Sequence, residues 1–114
     1  MTKNNISGTK HDQHKTRFEL VDPTFVEGVA SVLTFGALKY DEFNWAKGIK
    51  FSRVIGALKR HIHAFEVGEN LDPETGQPHL YHAACNLMFL AHYMKHKKEL
   101  DDRFFANVGD TNDN

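Results

Sequence analysis

Between residues 52 and 100 the chain carries two long stretches of helical period separated only by Asn70 to Gln77, where Asp72-Pro73-Glu74-Thr75-Gly76 reads as a turn by its proline and glycine. Two helices joined so briefly have to lie antiparallel, and the rest of the chain must pack around that hairpin. In the first stretch Val54, Ile55, Leu58, Ile62 and Phe65 form the apolar stripe. Ser52 is placed to cap its start, and Gly68 stands where a left-handed terminal residue is common. The second stretch opens after Pro78 and runs to roughly Leu100, with Leu80, Ala84, Leu87, Ala91 and Met94 on one side and Phe89 and Leu90 nearer the other. A helix apolar nearly all round is expected at the centre of the fold.

An earlier helix is announced by Asp22-Pro23, an N-cap followed by the one residue that loses nothing at the first helical position. Phe25, Val26, Val29, Val32, Leu33, Gly36 and Ala37 make its stripe, which ends near Tyr40. Phe18 and Leu20 alternate with polar residues and predict a short extended segment packed on the body. Residues 1–16 are polar, with Met1 and Ile6 the sizeable apolar residues, and read as a mobile arm; 17–106 is one helical domain and 107–114 a polar tail. The expected class is all-α, a compact helical domain built on the antiparallel hairpin.

The 114 residues carry a formal net charge of -1, which removes the basic footprint of a nucleic-acid binder. Cys85 is the single cysteine, so no intrachain disulfide holds the fold and a reducing compartment suits it. No run of about 20 apolar residues occurs, so no membrane span is expected.

The unusual number is eight histidines. His61 and Glu69 fall in the same arc as the core residues of the first hairpin helix, and His79, His82 and Asn86 share one face of the second with Tyr93. The antiparallel pairing brings Arg60, His61 and Glu69 near His79, His82 and Asn86. Glu69, Asp72 and Glu74 cluster at the tip and suit a hard ion such as magnesium or manganese, while histidines can join a softer ion or bond phosphate oxygens and an attacking water. Lys39, Lys47, Arg53, Lys59 and Arg60 surround the same end with cations, and Tyr40 and Trp45 offer flat rings that stack a base or fill the core. A hairpin stapled by His–Glu and His–Asn hydrogen bonds explains the same pattern, and the residues alone leave the two readings level. Three other motifs carry less: His11-Asp12 lies in the polar arm, His96 of the pair His92/His96 sits among lysines, and Cys85 reads as buried filler.

The ordered string Lys39-Tyr40, Asn44-Trp45, Lys47-Gly48, Arg60-His61, Ala64-Phe65, Gly68-Glu69, Asp72, Glu74, Gly76, His79, His82-Ala83 and Asn86 resembles the N-terminal domain of the bacteriophage dATP/dGTP diphosphohydrolase family. The likeness runs from about Lys10 to about Tyr93 and includes an arm of the form G-x-K-x-D-x-x-K-x-R at Gly8 to Arg17. The resemblance implies hydrolysis of a purine deoxynucleoside triphosphate to monophosphate and pyrophosphate, with Mg²⁺ or Mn²⁺, in the cytoplasm of an infected bacterium. That family is commonly linked to all-α nucleotide pyrophosphatases of the MazG kind, whose pattern is E-x-x-E on one helix and E-x-x-D on the next. Glu69-Asn70-Leu71-Asp72 is an E-x-x-D, placed where the first hairpin helix should be ending.

With that resemblance, Glu69, Asp72, Glu74 and His82 are the expected metal residues and His61, His79 and Arg60 the catalytic ones. Lys39, Tyr40, Asn44, Trp45, Lys47 and Asn86 are expected to hold the substrate. Self-association is expected, because helices of this length leave apolar faces uncovered. The rival readings are a nucleotide-sequestering protein without turnover and a helical interaction domain whose polar face only fixes register.

Overall fold

The computed structural model describes residues 14–109, with side chains to residue 106. The expected arm, with His11-Asp12, and the side chains of the polar tail lie outside them, apart from the arm's last residues. Among the described residues four helices follow one another: α1 (Pro23–Lys39), α2 (Phe51–Glu66), α3 (His79–His96) and the short α4 (Phe104–Gly109). Among the described residues the β-structure is one isolated bridge, Leu71 with Pro78, so the all-α expectation holds. No helix among them is long and apolar enough to cross a membrane.

The helix α1 starts as its cap chemistry dictates: the Asp22 carboxylate accepts the Thr24 amide at 3.0 Å and Pro23 follows. Helices α2 and α3 form the antiparallel hairpin, and α1 packs against α3, which is therefore central. The core lies where α3 meets the start of α2: Phe51, Val54 and the fully buried Tyr93, with Ile55, Phe89, Leu90 and Leu100 around them. The Tyr93 hydroxyl donates to the Trp45 carbonyl, tying the loop before α2 to the core. That loop holds a 3-10 turn at Asn44–Lys47 and closes on Gly48, whose φ of 110° and approach to Leu100 leave no room for a side chain.

Several expectations are corrected. Phe18–Leu20 is a 3-10 turn and not an extended segment, with Phe18 80% and Leu20 71% exposed instead of packed on the body. Ser52 is not the cap of α2; Lys50 holds that position without a side-chain bond, and both the amide and hydroxyl of Ser52 donate to Asp102, at 2.8 and 2.6 Å. The helix α3 stops at His96, and a 3-10 turn at Lys98–Leu100 follows. Its expected stripe of Leu80, Leu87 and Met94 is exposed; the face of His79, Ala83, Asn86 and Tyr93 is the buried one. An all-round apolar helix has no period to say which side faces in.

Candidate active site

The helix α2 ends in a Schellman turn: Gly68, at φ 106°, donates its amide to Phe65 at 3.0 Å and Glu69 donates to Ala64 at 2.9 Å. The tip is then closed by backbone bonds from His79 to Asn70 (3.0 Å), Asp72 to Gln77 (2.8 Å) and Gly76 to Asp72 (2.7 Å). These bonds turn two neighbouring carboxylates in different directions. Glu69 Oε1 sits 2.7 Å from His79 Nε2. Asp72 accepts the Glu74 amide at 3.2 Å and the Thr75 hydroxyl at 3.2 Å, and lies 3.6 Å from His82 Nε2.

His61, from the third turn of α2, stands between the two groups. Its Nδ1 is 2.8 Å from His79 Nδ1, and its ring lies parallel to that of His82, with centroids 4.6 Å apart. His82 Nε2 in turn shares a 2.8 Å hydrogen bond with Thr75 Oγ1. Burial, then the neighbouring imidazoles of His82 and His79, holds His61 below the usual histidine range, and burial does the same to His82 against the opposing pull of Asp72. Burial would raise the Asp72 carboxyl, but the Glu74 amide, the Thr75 hydroxyl and the imidazoles outweigh it and its value falls.

His61, His82, Thr75, Asp72 and Glu74 form one wall of a cleft of about 690 Å³, large enough for a nucleotide. The end of α1 and the loop after it line the same cleft, with Lys39, Tyr40, Phe43, Asn44 and Trp45. Trp45 is braced by Phe89, stacked at 5.4 Å, and by the edge of His92 at 5.1 Å. Phe43 takes a left-handed φ of 58°, a costly conformation for a bulky residue. Four acidic residues, Asp41, Glu42, Asp72 and Glu74, line the cleft with one lysine, Lys39, whose ammonium lies 3.9 Å from Glu74 and over the Tyr40 ring.

The structure thus brings His61, His82, Asp72, Glu74, Lys39, Tyr40, Asn44 and Trp45 to one cleft. Glu69 and His79 stand behind its wall. Arg60 and Lys47 are exposed and do not line it, and Asn86, buried on α3, does not line it either. Glu69, Asp72, Glu74 and His82 do not stand as one group; among the described residues no three or more His, Cys, Asp or Glu side chains are gathered in a preformed metal site. Asp41, Glu42, Phe43 and Thr75 were not singled out from sequence. The loop's unusual aromatic content pointed near Phe43, whereas Thr75 gives no signal until the turn is folded. Glu66-Val67-Gly68-Glu69 supplies an E-x-x-E, but it overlaps the E-x-x-D in Glu69 and straddles the end of α2 instead of occupying a separate helix.

The fold and cleft define an all-α domain in which aromatic residues of one loop and imidazole and carboxylate residues of the hairpin line one cleft. The family model for dATP/dGTP diphosphohydrolase, N-terminal, matches residues 5–103, and the chain belongs to that family. A protein of Salmonella phage PMBT28 named dATP/dGTP diphosphohydrolase is 42% identical over 98 residues, 86% of this chain and 33% of that protein. The chain therefore spans about a third of the length of that relative. No solved structure matches the chain.

Proposed function

We propose that the cleft binds a purine deoxynucleoside triphosphate and hydrolyses it to monophosphate and pyrophosphate, in the cytoplasm of an infected bacterium. The observation that carries this reading is the meeting, in one cleft, of aromatic residues with imidazole and carboxylate residues. Trp45 and Tyr40 stack the base, Asn44 reads its edge, and Lys39 meets the phosphates. Four carboxylates against one lysine would repel a bare triphosphate, so the substrate enters as its Mg²⁺ or Mn²⁺ complex. Magnesium is commonly held by one or two carboxylates plus substrate phosphates, and Asp72 and Glu74 fit that role. The ion, when bound, neutralises phosphate charge and polarises the phosphoryl group. An attacking water forms its bond to the α-phosphorus as the bond from that phosphorus to the α,β-bridging oxygen breaks; pyrophosphate leaves, and the water's proton passes to His61. His82, bonded to Thr75, steadies the wall beside it.

The test is to incubate the full chain with each of the four deoxynucleoside triphosphates, with Mg²⁺, Mn²⁺ or EDTA, and resolve the products. Purine-selective, metal-dependent release of pyrophosphate is expected. Binding of dATP or dGTP without any product would overturn hydrolysis in favour of sequestration.

A further inference from the structure

Three side chains run in file from the surface to the cleft. Glu69, whose side chain is 49% exposed, places Oε1 2.7 Å from Nε2 of His79, which is almost wholly buried. Nδ1 of His79 lies 2.8 Å from Nδ1 of His61, whose ring lines the cleft. No described residue takes the remaining nitrogen, His61 Nε2, as a hydrogen-bond partner. Their spacing is set by backbone: the Schellman turn fixes Glu69, and the bond from the His79 amide to Asn70 fixes the first residue of α3 opposite it.

The donors in this file can be counted from one end. A carboxylate only accepts, so the hydrogen on the Glu69–His79 contact belongs to His79 Nε2. A neutral His79 then has a lone pair on Nδ1, and two nitrogens at hydrogen-bonding distance need one hydrogen between them. It must come from His61. His61 is thereby the Nδ1–H tautomer, and its Nε2 carries a lone pair.

We propose that Glu69, His79 and His61 form a directed relay in which Glu69 and His79 are positioning residues that fix the tautomer of His61 and present its Nε2 lone pair to the cleft as the general base. The role as base rests on the hydrolase reading; the tautomer assignment does not. As the attacking water gives its proton to His61 Nε2, the Nδ1 hydrogen of His61 can pass to His79 Nδ1, and the resulting imidazolium of His79 faces the Glu69 carboxylate. One proton enters and one is handed on, with no change in the number of bonds. The lowered proton affinity of His61 agrees with a ring held neutral until the reaction.

Glu69→Gln is the informative variant because an amide can donate. With the side-chain amide of that variant donating to His79 Nε2, every hydrogen in the file reverses and His61 Nε2 becomes an N–H, useless as a base. The experiment is a long-range ¹H–¹⁵N spectrum of the histidine rings in the full chain, read beside kcat and KM. In the unsubstituted protein we expect His79 protonated at Nε2 and His61 at Nδ1. In Glu69→Gln we expect these assignments to invert or mix, and kcat to fall about 100- to 10,000-fold, the usual share of a general base, with KM for the nucleotide nearly unchanged. Glu69→Asp, which keeps the acceptor, should recover part of the loss. An Nε2-protonated His61 in the unsubstituted protein would overturn the relay, as would an active Glu69→Gln with inverted tautomers. If the unsubstituted protein hydrolyses no nucleotide, the function reading fails, and the spectra still decide the tautomers.

Discussion

Gly28→Ala tests how α1 is held against α3, and with it the wall that carries Lys39 and Tyr40. Gly28 is buried in the middle of α1, and a methyl group there would sit inside 3.0 Å of three ring atoms of Tyr81, on α3. The ring is also in edge-to-face contact with Phe25 at 5.6 Å, which limits where it can move. One helix or the ring must therefore retreat by roughly 1 Å, an overpacking that costs about 1 to 3 kcal/mol. Against it stands the better helix propensity of alanine, about 1 kcal/mol. The clash at least cancels that gain, leaving a net loss of about 0 to 2 kcal/mol, or up to about 16 °C in melting temperature for a domain of this size. Thermal melts followed by circular dichroism measure it. In a Tyr81→Ala background the clash is gone, and the same glycine change should become neutral or stabilising. A melting temperature raised by Gly28→Ala alone, or the same shift with and without Tyr81→Ala, would refute the packing of α1 on α3.

Three further outcomes follow from the geometry. His61 and His82 bind protons less readily folded than unfolded, so the unfolded chain takes up more protons below about 6.5; stability should be full above that pH and fall as it drops to 5.5 in EDTA, Asp72 adding to the loss at still lower pH, and His61→Gln should flatten the curve. A melting temperature that does not move between pH 7.5 and 5.5 would contradict this. The buried Cys85 thiol is pushed up to about 11, so a disulfide reagent at pH 8 should label it only after denaturant is added. Tyr93→Phe strips the donor from the Trp45 carbonyl and should cost about 1 to 3 kcal/mol, with a red shift in Trp45 emission; an unchanged melt would mean that the loop is not anchored there.

The hairpin was legible because its turn is written in Pro73 and Pro78, whose φ is fixed, and Gly76, which takes the positive φ of 73° that other residues avoid, between two helical periods. The cap of α1 was legible for the same reason. So was the shared face of His79, His82, Asn86 and Tyr93, which needs only the pitch of a helix. What resisted reading were directions at a helix end. Glu69 and Asp72 are three residues apart, yet the left-handed Gly68 and the closed tip send one carboxylate to His79 and the other to Thr75 and His82. No spacing rule covers that, and so the tip looked like one acidic cluster. Arg60 is next to His61 in sequence and was placed with it, but successive residues on a helix diverge, and Arg60 stays in solvent. Asp41 and Glu42 face the cleft through loop geometry alone.

The bonds from Ser52 to Asp102 set the edge of the folding unit. Fifty residues separate the two, yet Asp102 satisfies an amide at the start of α2, the helix that bears His61. A fragment ending at Leu100 would retain every cleft residue and still lose the acceptor that finishes the first turn of that helix. The smallest stable piece therefore extends beyond the last residue of the cleft, to Asp102 or just past it, close to where the family match ends at residue 103. Trimming the domain by its visible site would cut it too short.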